Sequence, residues 1–479
     1  MPLARVAIAG AENLTEAGAA PRLTANQWKV VRLCALAGML ETLDMYVIAY
    51  VLAFITGPWN MSYGQSATIL LASGVGGLLG SVAWGHVADR FGRKAAFSAT
   101  IFTCSVASLA LAFTPTGDWI YLAAWRTVVG FGAGGFFLFV VLVQEFAPAG
   151  RRGFASGIVS TAAAGGLLLG ALVGSFLVPW IGWRGMFAIG ALPVFLGVVV
   201  LYAIPESPRW LMIHGRGEAA RRSLQWSLGA GVDASAVAAA DALSRPAADA
   251  LADMPATART LPRWRDVFGY PRSVAAGTMI NLGALTGYYG MVLWAPTLLA
   301  QIQGIPAAQA ARMMIGLSLA GLLSRLAMGW LADRHGRRRC GGWASIGAAF
   351  LLVTAGLVGH GVWLTPALFW LPFALAFVCA DSGFSVMGLY TSEIWPSRLR
   401  GRGSGLSYAA GGIGKIIGPL GLALLIGSSN LIKPAATVSA IVPAFVYLAS
   451  MFALAGCAYL FIARETCGET LERIEAQLR

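Results

Sequence analysis

Gly85-His86-Val87-Ala88-Asp89-Arg90-Phe91-Gly92-Arg93-Lys94 returns in the second half of the chain as Gly329-Trp330-Leu331-Ala332-Asp333-Arg334-His335-Gly336-Arg337-Arg338. A second pair agrees with the first. Glu145-Phe146-Ala147-Pro148 followed by Arg152-Gly153, and Glu393-Ile394-Trp395-Pro396 followed by Arg400-Gly401, share Glu-x-x-Pro-x-x-x-Arg-Gly at nearly the same offset. Two independent markers therefore report one duplication in a chain built of long apolar segments. Parallel repeats of this kind in a membrane protein imply a site between two halves that is exposed to each side in turn.

Composition carries the same message. A hydrophobic fraction of 57%, only 11% charged residues and a mean hydropathy of +0.71 exclude a water-soluble domain of this length. Stretches of about 20 mostly apolar residues are centred near residues 42, 76, 104, 131, 166, 194, 287, 321, 350, 379, 415 and 450, and the longest polar interval, 204 to 272, separates six from six. They are too long and too rich in Ala, Leu and Gly for strands, and no short alternating runs could close a barrel. The expected fold is an all-α membrane protein of twelve transmembrane helices in two pseudo-symmetric six-helix bundles, 28–203 and 273–463. An N-terminal segment (1–27), a central loop (204–272) and a tail (464–479) complete the chain.

Cations set the orientation, because Lys and Arg at segment ends stay on the cytoplasmic side. Arg90, Arg93, Lys94, Arg152, Arg334, Arg337 and Arg400 fall in alternate loops, and the intervening loops hold little beyond Arg184 and Lys433. Both termini and the central loop are thus expected in the cytoplasm, with a bacterial inner membrane as the location. The net charge of +13 is then a topology signal, and a nucleic-acid partner is excluded on that ground. The first 27 residues lack an apolar core followed by a small-residue cleavage site, so no removable signal peptide is read. The six cysteines show no CxxC pair and read as packing residues, neither disulfide nor metal site. Glycine runs at 74–80, 130–135 and 165–174 suit close helix approach, by plain packing or by a moving contact between bundles. In the central loop, short amphipathic helices are expected, including the Ala-rich stretch near 234 to 252, with partial disorder around 230 to 262.

With these residues in view, the chain resembles the major facilitator superfamily from about residue 28 to 475. The Gly-x-x-x-Asp-Arg-x-Gly-Arg-Arg/Lys loop in both halves is the most specific marker. Pro205-Glu206-Ser207-Pro208-Arg209-Trp210 and Glu465-Thr466-Cys467-Gly468 through Leu471-Glu472 look like the sugar-porter and organic-ion branch. Tyr288-Tyr289-Gly290 followed by Trp294 and Pro296 is more similar to nicotinate and aromatic-acid transporters. The departures also inform. Where sugar porters carry helix-five and helix-seven amides, this chain has Ser160-Thr161 and Asn281-Leu282-Gly283-Ala284, and Gly174-Ser175-Phe176-Leu177 does not match the drug-antiporter element. The Asp-Gly-x-Asp of aromatic-acid symporters has its counterpart in Glu41-Thr42-Leu43-Asp44, which keeps the acidic pair and lacks the glycine.

Ionisable side chains within the bilayer cost roughly 2.5 to 3.5 kcal/mol each by insertion scales and are functional candidates by default. Glu41 lies about 20 Å into the first helix, with Asp44 one turn further on the same face. Two carboxylates so close disfavour joint ionisation, which makes the pair the candidate proton carrier. Arg126 heads Arg-x-x-x-Gly-x-Gly in helix four, an arrangement that the resemblance associates with proton coupling. Lys415 sits among glycines 411, 412, 414 and 418, near the place where organic-anion relatives carry an Arg. Two accounts of it stand open: it binds a substrate carboxylate, or it pairs with buried Asp381. Arg325 is similarly deep, as a structural or a substrate cation. Tyr46, Tyr288, Tyr289, Trp294, Phe384 and Tyr408 are candidates to stack on a planar ligand, Tyr289 and Trp294 foremost through the resemblance. Asp89, Arg90, Arg93, Glu145 and Arg152, with Asp333, Arg334, Arg337, Glu393 and Arg400, are expected to form a cytoplasmic gate that locks the bundles when that side is closed.

The reading is a secondary active transporter, coupling uptake of a small aromatic or nicotinate-like acid to protons. A sugar or polyol transporter is the alternative, and a nutrient sensor that binds without transporting, expected to carry a large structured signalling appendage, is the third reading. No nucleophile motif, metal-ligand spacing or nucleotide loop is found, so no catalysis, metal or cofactor is expected. The partners expected are the small-molecule substrate, protons and the lipid bilayer, for a chain working as a monomer.

Overall fold

A computed structural model describes residues 23–135, 137–148, 151–229, 264–361, 368–396 and 399–467, without the side chains of 152, 153, 212, 213, 400 and 401. The Ala-rich stretch near 234 to 252, Gly468 to Glu472, and the side chains of Arg152 and Arg400 lie outside these described residues.

Where lipid offers no hydrogen bonds, a helix start needs a built-in acceptor. Thr24 and Ser62 provide one, each forming a reciprocal capping box, with Gln27 and Gln65, before α1 (Ala25–Ile55) and α2 (Tyr63–Phe91). The repeated decapeptide explains the next corner. Gly92, at φ 108°, turns the chain straight from α2 into α3 (Arg93–Ala112), a left-handed conformation that favours glycine.

The fourth crossing is α4 (Trp119–Ala133) followed by α5 (Phe137–Phe146). Then α6 (Arg152–Leu172) runs through a π turn into α7 (Val178–Ala191), and α8 (Pro193–Ala203) follows. Two short helices, α9 (Pro208–Ile213) and α10 (Gly217–Leu228), lead out of the first bundle, and α11 (Trp264–Val267) leads into the second. The second bundle comprises α12 (Pro271–Gln303), α13 (Ala307–His335), α14 (Arg337–Gly359), α15 (Trp370–Glu393), α16 (Arg400–Ile426) and α17 (Pro434–Cys457). Gly336, at φ 93°, makes the same corner between α13 and α14.

Among the described residues, ten helical stretches are individually long and apolar enough to cross a membrane. One of them, Phe154–Ala203, folds back at Gly182 (φ 69°) and crosses twice. Pro271–Gln303 is a further crossing, its apolarity diluted by Asn281, Thr286, Tyr288 and Tyr289. The total is twelve, as expected.

Packing repeats the duplication. In the first bundle α1 packs on α6 and α2 on α4, and in the second α12 packs on α16 and α13 on α15. Small residues set the closest crossing: a Cβ on Gly76 would lie 2.0 Å from the Thr127 carbonyl, and one on Gly130 2.1 Å from that of Ser73. These glycines serve packing within a bundle. Gly74 differs, since its Cβ would meet Ile416 of the other bundle at 2.8 Å. Across the two halves, α2 faces α16, α6 faces α13, and α1 faces α12.

Candidate functional site

At the end away from the arginine-rich loops, the bundles are joined by backbone. Ser62 and Leu431 form an antiparallel bridge. Tyr63 N–H donates to Asn430 O (3.0 Å), Gly64 N–H to Ser428 O (2.8 Å), and Ile432 N–H to Met61 O (3.1 Å). The Tyr63 hydroxyl meets Thr437 Oγ1 at 2.6 Å, and its ring lies 5.2 Å from that of Trp294.

Behind this closure a cavity of about 260 Å³ lies between the bundles. Its aromatic wall comes from both: Tyr46 of α1 stacks on Tyr289 of α12 (6.2 Å, 21°), and Tyr288 meets Phe384 edge-on at 4.6 Å. Phe377, Ser160, Ser318, Arg325 and Asp381 also line it. Ser160, Arg325 and Phe384 are shared with a vestibule of about 760 Å³ that continues along Gln144, Ser156 and Gly388 toward the arginine-rich end.

The charge in this cavity is a pair. Arg325 donates through Nε to Asp381 Oδ2 and through Nη2 to Oδ1, both at 2.6 Å, and Tyr288 O–H donates to Oδ1 at 2.8 Å. The guanidinium also lies 4.9 Å from the Phe384 ring centre. A bidentate Arg–carboxylate contact is among the strongest polar contacts available to side chains. Asp381 therefore belongs to Arg325, which corrects the pairing with Lys415. Lys415 instead lies over Tyr289, Nζ 5.0 Å from the ring centre, and shares a cavity of only about 20 Å³ with Arg126 and Ser73.

Glu41, Asp44 and Arg126 are buried inside the first bundle and do not line the central cavity. Ser108 Oγ donates to Asp44 Oδ1 at 2.6 Å. Arg126 bonds the Ser73 hydroxyl (3.0 Å) and the backbone carbonyls of Asp44 (3.0 Å) and Met45 (3.1 Å). Among the described residues, neither Glu41 oxygen nor Asp44 Oδ2 has a hydrogen-bond partner.

Of the aromatic candidates, Tyr46, Tyr288, Tyr289 and Phe384 reach the cavity. Trp294 does not line it: fully buried, it donates to Pro419 O at 3.1 Å and packs in the closed end. Tyr408 is half exposed and elsewhere. Ser318 was missed, although Ser318, Leu322 and Arg325 follow the i, i+4, i+7 spacing of one helix face.

The gate residues form two matching clusters, each within its own bundle. Arg93 pairs with Asp89 (2.6 Å) and Glu145 (3.6 Å), and Arg337 with Asp333 (3.9 Å) and Glu393. Arg90 and Arg334 turn outward over Phe91 and Trp330. Two carboxylates given no task by sequence complete the symmetry. Glu206 accepts from Lys94 N–H (2.9 Å), and Glu465 from the N–H groups of Arg337 (2.8 Å) and Arg338 (3.2 Å), so each neutralises a helix start. A Cβ on Gly92 or Gly336 would lie 2.3 Å from those carboxylates.

Twelve helices in two duplicated bundles around a central cavity define a major facilitator transporter. The family model described as Sugar (and other) transporter matches residues 30–478, and the chain belongs to that family. The niacin transporter NiaP of Acinetobacter baylyi is 30% identical over 389 residues, covering 80% of this chain and 84% of that protein. The 4-hydroxybenzoate transporter PcaK of Pseudomonas aeruginosa is 28% identical over 420 residues, covering 85% and 87%. Among solved structures, the inward open xylose transporter XylE from E. coli superposes with a TM-score of 0.71 at 21% identity, over 94% of this chain and 99% of that one. That likeness concerns the fold.

Proposed function

We propose that the protein is a proton-coupled importer of small aromatic acids of the niacin or hydroxybenzoate type. The observation that carries the reading is the cavity between the bundles, in which an aromatic wall surrounds one guanidinium, Arg325. At about 260 Å³ it is below the roughly 300–1,000 Å³ typical of drug-sized ligands and suits a single ring. Tyr46, Tyr288, Tyr289 and Phe384 cover the ring, and Arg325 holds the carboxylate. The transported molecules in the names of NiaP and PcaK support the same choice. Among the described residues lining the cavity none is Asn or Gln, the side chains suited to holding a polyol.

The arginine-rich end is cytoplasmic on this reading, as are both termini, so the backbone bridge closes the outer side and the vestibule faces inward. Asp44, with Glu41 beside it, carries the driving proton. Its Oδ2 and both Glu41 oxygens are buried without a hydrogen bond, and an unpartnered carboxylate charge there is costly unless a proton neutralises it. Arg126 of α4 grips the α1 backbone at this locus. The chain works as a monomer, with no chemistry performed on the substrate. The test is uptake of labelled 4-hydroxybenzoate and nicotinate into cells expressing the protein, with and without a protonophore. Accumulation that collapses with the proton gradient is expected, and protonophore-insensitive accumulation contradicts the coupling.

A further inference from the structure

The pair in the cavity poses a problem for an anionic substrate. Arg325 is already paired with Asp381 through two bonds of 2.6 Å, and Tyr288 O–H holds the same carboxylate at 2.8 Å. The Asp381 side chain is 6% exposed, that of Arg325 23%. Arg325 also lines the large vestibule, whereas Asp381 does not, so an entering carboxylate meets the guanidinium first.

We propose that Asp381 is a second proton-binding site, distinct from the Asp44 locus and loaded by substrate itself. This rests on the reading of the substrate as a carboxylate. The substrate carboxylate takes the place of Asp381 on Arg325, and Asp381 takes up one proton from water in the cavity. The exchange balances: one anion and one proton enter, and Arg325 remains protonated with one carboxylate partner. The charge of the cavity is unchanged, which matters in a low-dielectric surround where an unpaired ion is costly.

The surroundings allow little else to compensate Asp381. From α13 it faces Arg325 and the backbone at Gly321, whose Cβ would lie 2.9 Å from Oδ2. From α12 it faces Tyr288, with Tyr289 beyond, and Tyr46 of α1 stacks on Tyr289. On its own helix, Cys379 and Ser382 are the nearest polar residues in sequence, and the Ser382 hydroxyl is committed to the Cys379 carbonyl (2.8 Å). The cations of α14, Arg337 to Arg339, sit at the arginine-rich end, and Lys415 of α16 lies over Tyr289. Among the described residues, Arg325 is the one cation bonded to Asp381. Tyr288 O–H can stay on the protonated acid, whose own O–H needs an acceptor, and the substrate carboxylate supplies it.

The experiment measures proton uptake on ligand binding to the purified full-length protein in weakly buffered detergent solution. The probes are 4-hydroxybenzoate and nicotinate, and binding is followed by calorimetry in two buffers of different ionisation enthalpy. One proton per ligand is expected with the wild type and with Glu41→Gln/Asp44→Asn, and none with Asp381→Asn. Affinity of the wild type for the anion should weaken about tenfold per pH unit where Asp381 is ionised in the free protein, and should be flat with pH in Asp381→Asn. Binding without proton uptake in Glu41→Gln/Asp44→Asn overturns the proposal even if Asp381→Asn does not fold, and leaves the substrate reading standing. Uptake that persists in Asp381→Asn overturns it likewise. Failure of both acids to bind the wild type overturns the substrate reading, and the exchange with it.

Discussion

Arg126 bonds Asp44 through the backbone: its Nη1 lies 3.0 Å from the Asp44 carbonyl oxygen, while the Asp44 carboxylate is held by Ser108. The guanidinium grips the backbone of α1 at the acidic residue and its neighbour Met45, and Ser73 takes the third donor. The carboxylate is left with one hydrogen bond on Oδ1 and none on Oδ2, so taking up or losing a proton need not break a bidentate ion pair.

Replacing Arg126 by Lys tests this grip. An ammonium cannot span the three acceptors with the fixed fork of a guanidinium, and each buried acceptor left unmade costs about 1–3 kcal/mol. The purified Arg126→Lys protein should unfold at a clearly lower temperature than wild type and show weakened proton-driven uptake. An unchanged melting temperature would assign Arg126 no structural hold on α1.

The pair in the second bundle predicts a different pattern. Arg325→Gln leaves Asp381 buried without its cation, at a cost of about 3–5 kcal/mol. Adding Asp381→Asn should recover much of the thermal stability, because the stranded charge is gone, yet binding of aromatic acids should stay lost. Recovered binding in the double variant would show that Arg325 does not hold the substrate.

The backbone bridge at the closed end predicts a lock. Residues paired across an antiparallel bridge have Cα atoms about 4.5–5.5 Å apart, within the roughly 4.4–6.8 Å span of a disulfide. Ser62→Cys with Leu431→Cys, oxidised, should stop transport, and reduction should restore it. Transport that continues while cross-linked would mean that this end need not part.

Glycines on opposite faces of α2 should separate by role. Gly76→Ala forces a Cβ to within 2.0 Å of a carbonyl inside the bundle and should lower the yield of folded protein. At Gly74 the neighbour is a side chain, Ile416 of the other bundle, so Gly74→Ala should leave each bundle folded and alter transport rate. Equal yields for both would contradict the packing account.

Much of the fold was written in the duplicated loops. Gly92 and Gly336 are the residues that make the helix-to-helix corner, and the repeat of Asp and Arg around them places matching ion pairs on both bundles. The twelve crossings were legible too, including α12, whose polar residues dilute its hydropathy because it lines the interior. The partner of Asp381 was not. Depth in the membrane follows from counting residues, but the direction a side chain faces around its helix depends on packing, and that gives Asp381 to Arg325 and places Lys415 behind Tyr289. Trp294 misled for the same reason: the resemblance placed it with Tyr289, yet a separation of five residues puts it on a different face of α12, in the closed end against Tyr63. Glu206 and Glu465 were visible in their motifs, but their targets are N–H groups more than a hundred residues away.

The most direct measurement is internal acidification of proteoliposomes loaded with a pH dye and challenged with 4-hydroxybenzoate or nicotinate, wild type beside Asp44→Asn. Weak acids leak across as neutral molecules, so the difference between the two traces is the signal. Rapid acidification is expected with the wild type, clearly above that of Asp44→Asn. Identical traces for both, or acidification absent with aromatic acids while a sugar exchanges by counterflow, would contradict it.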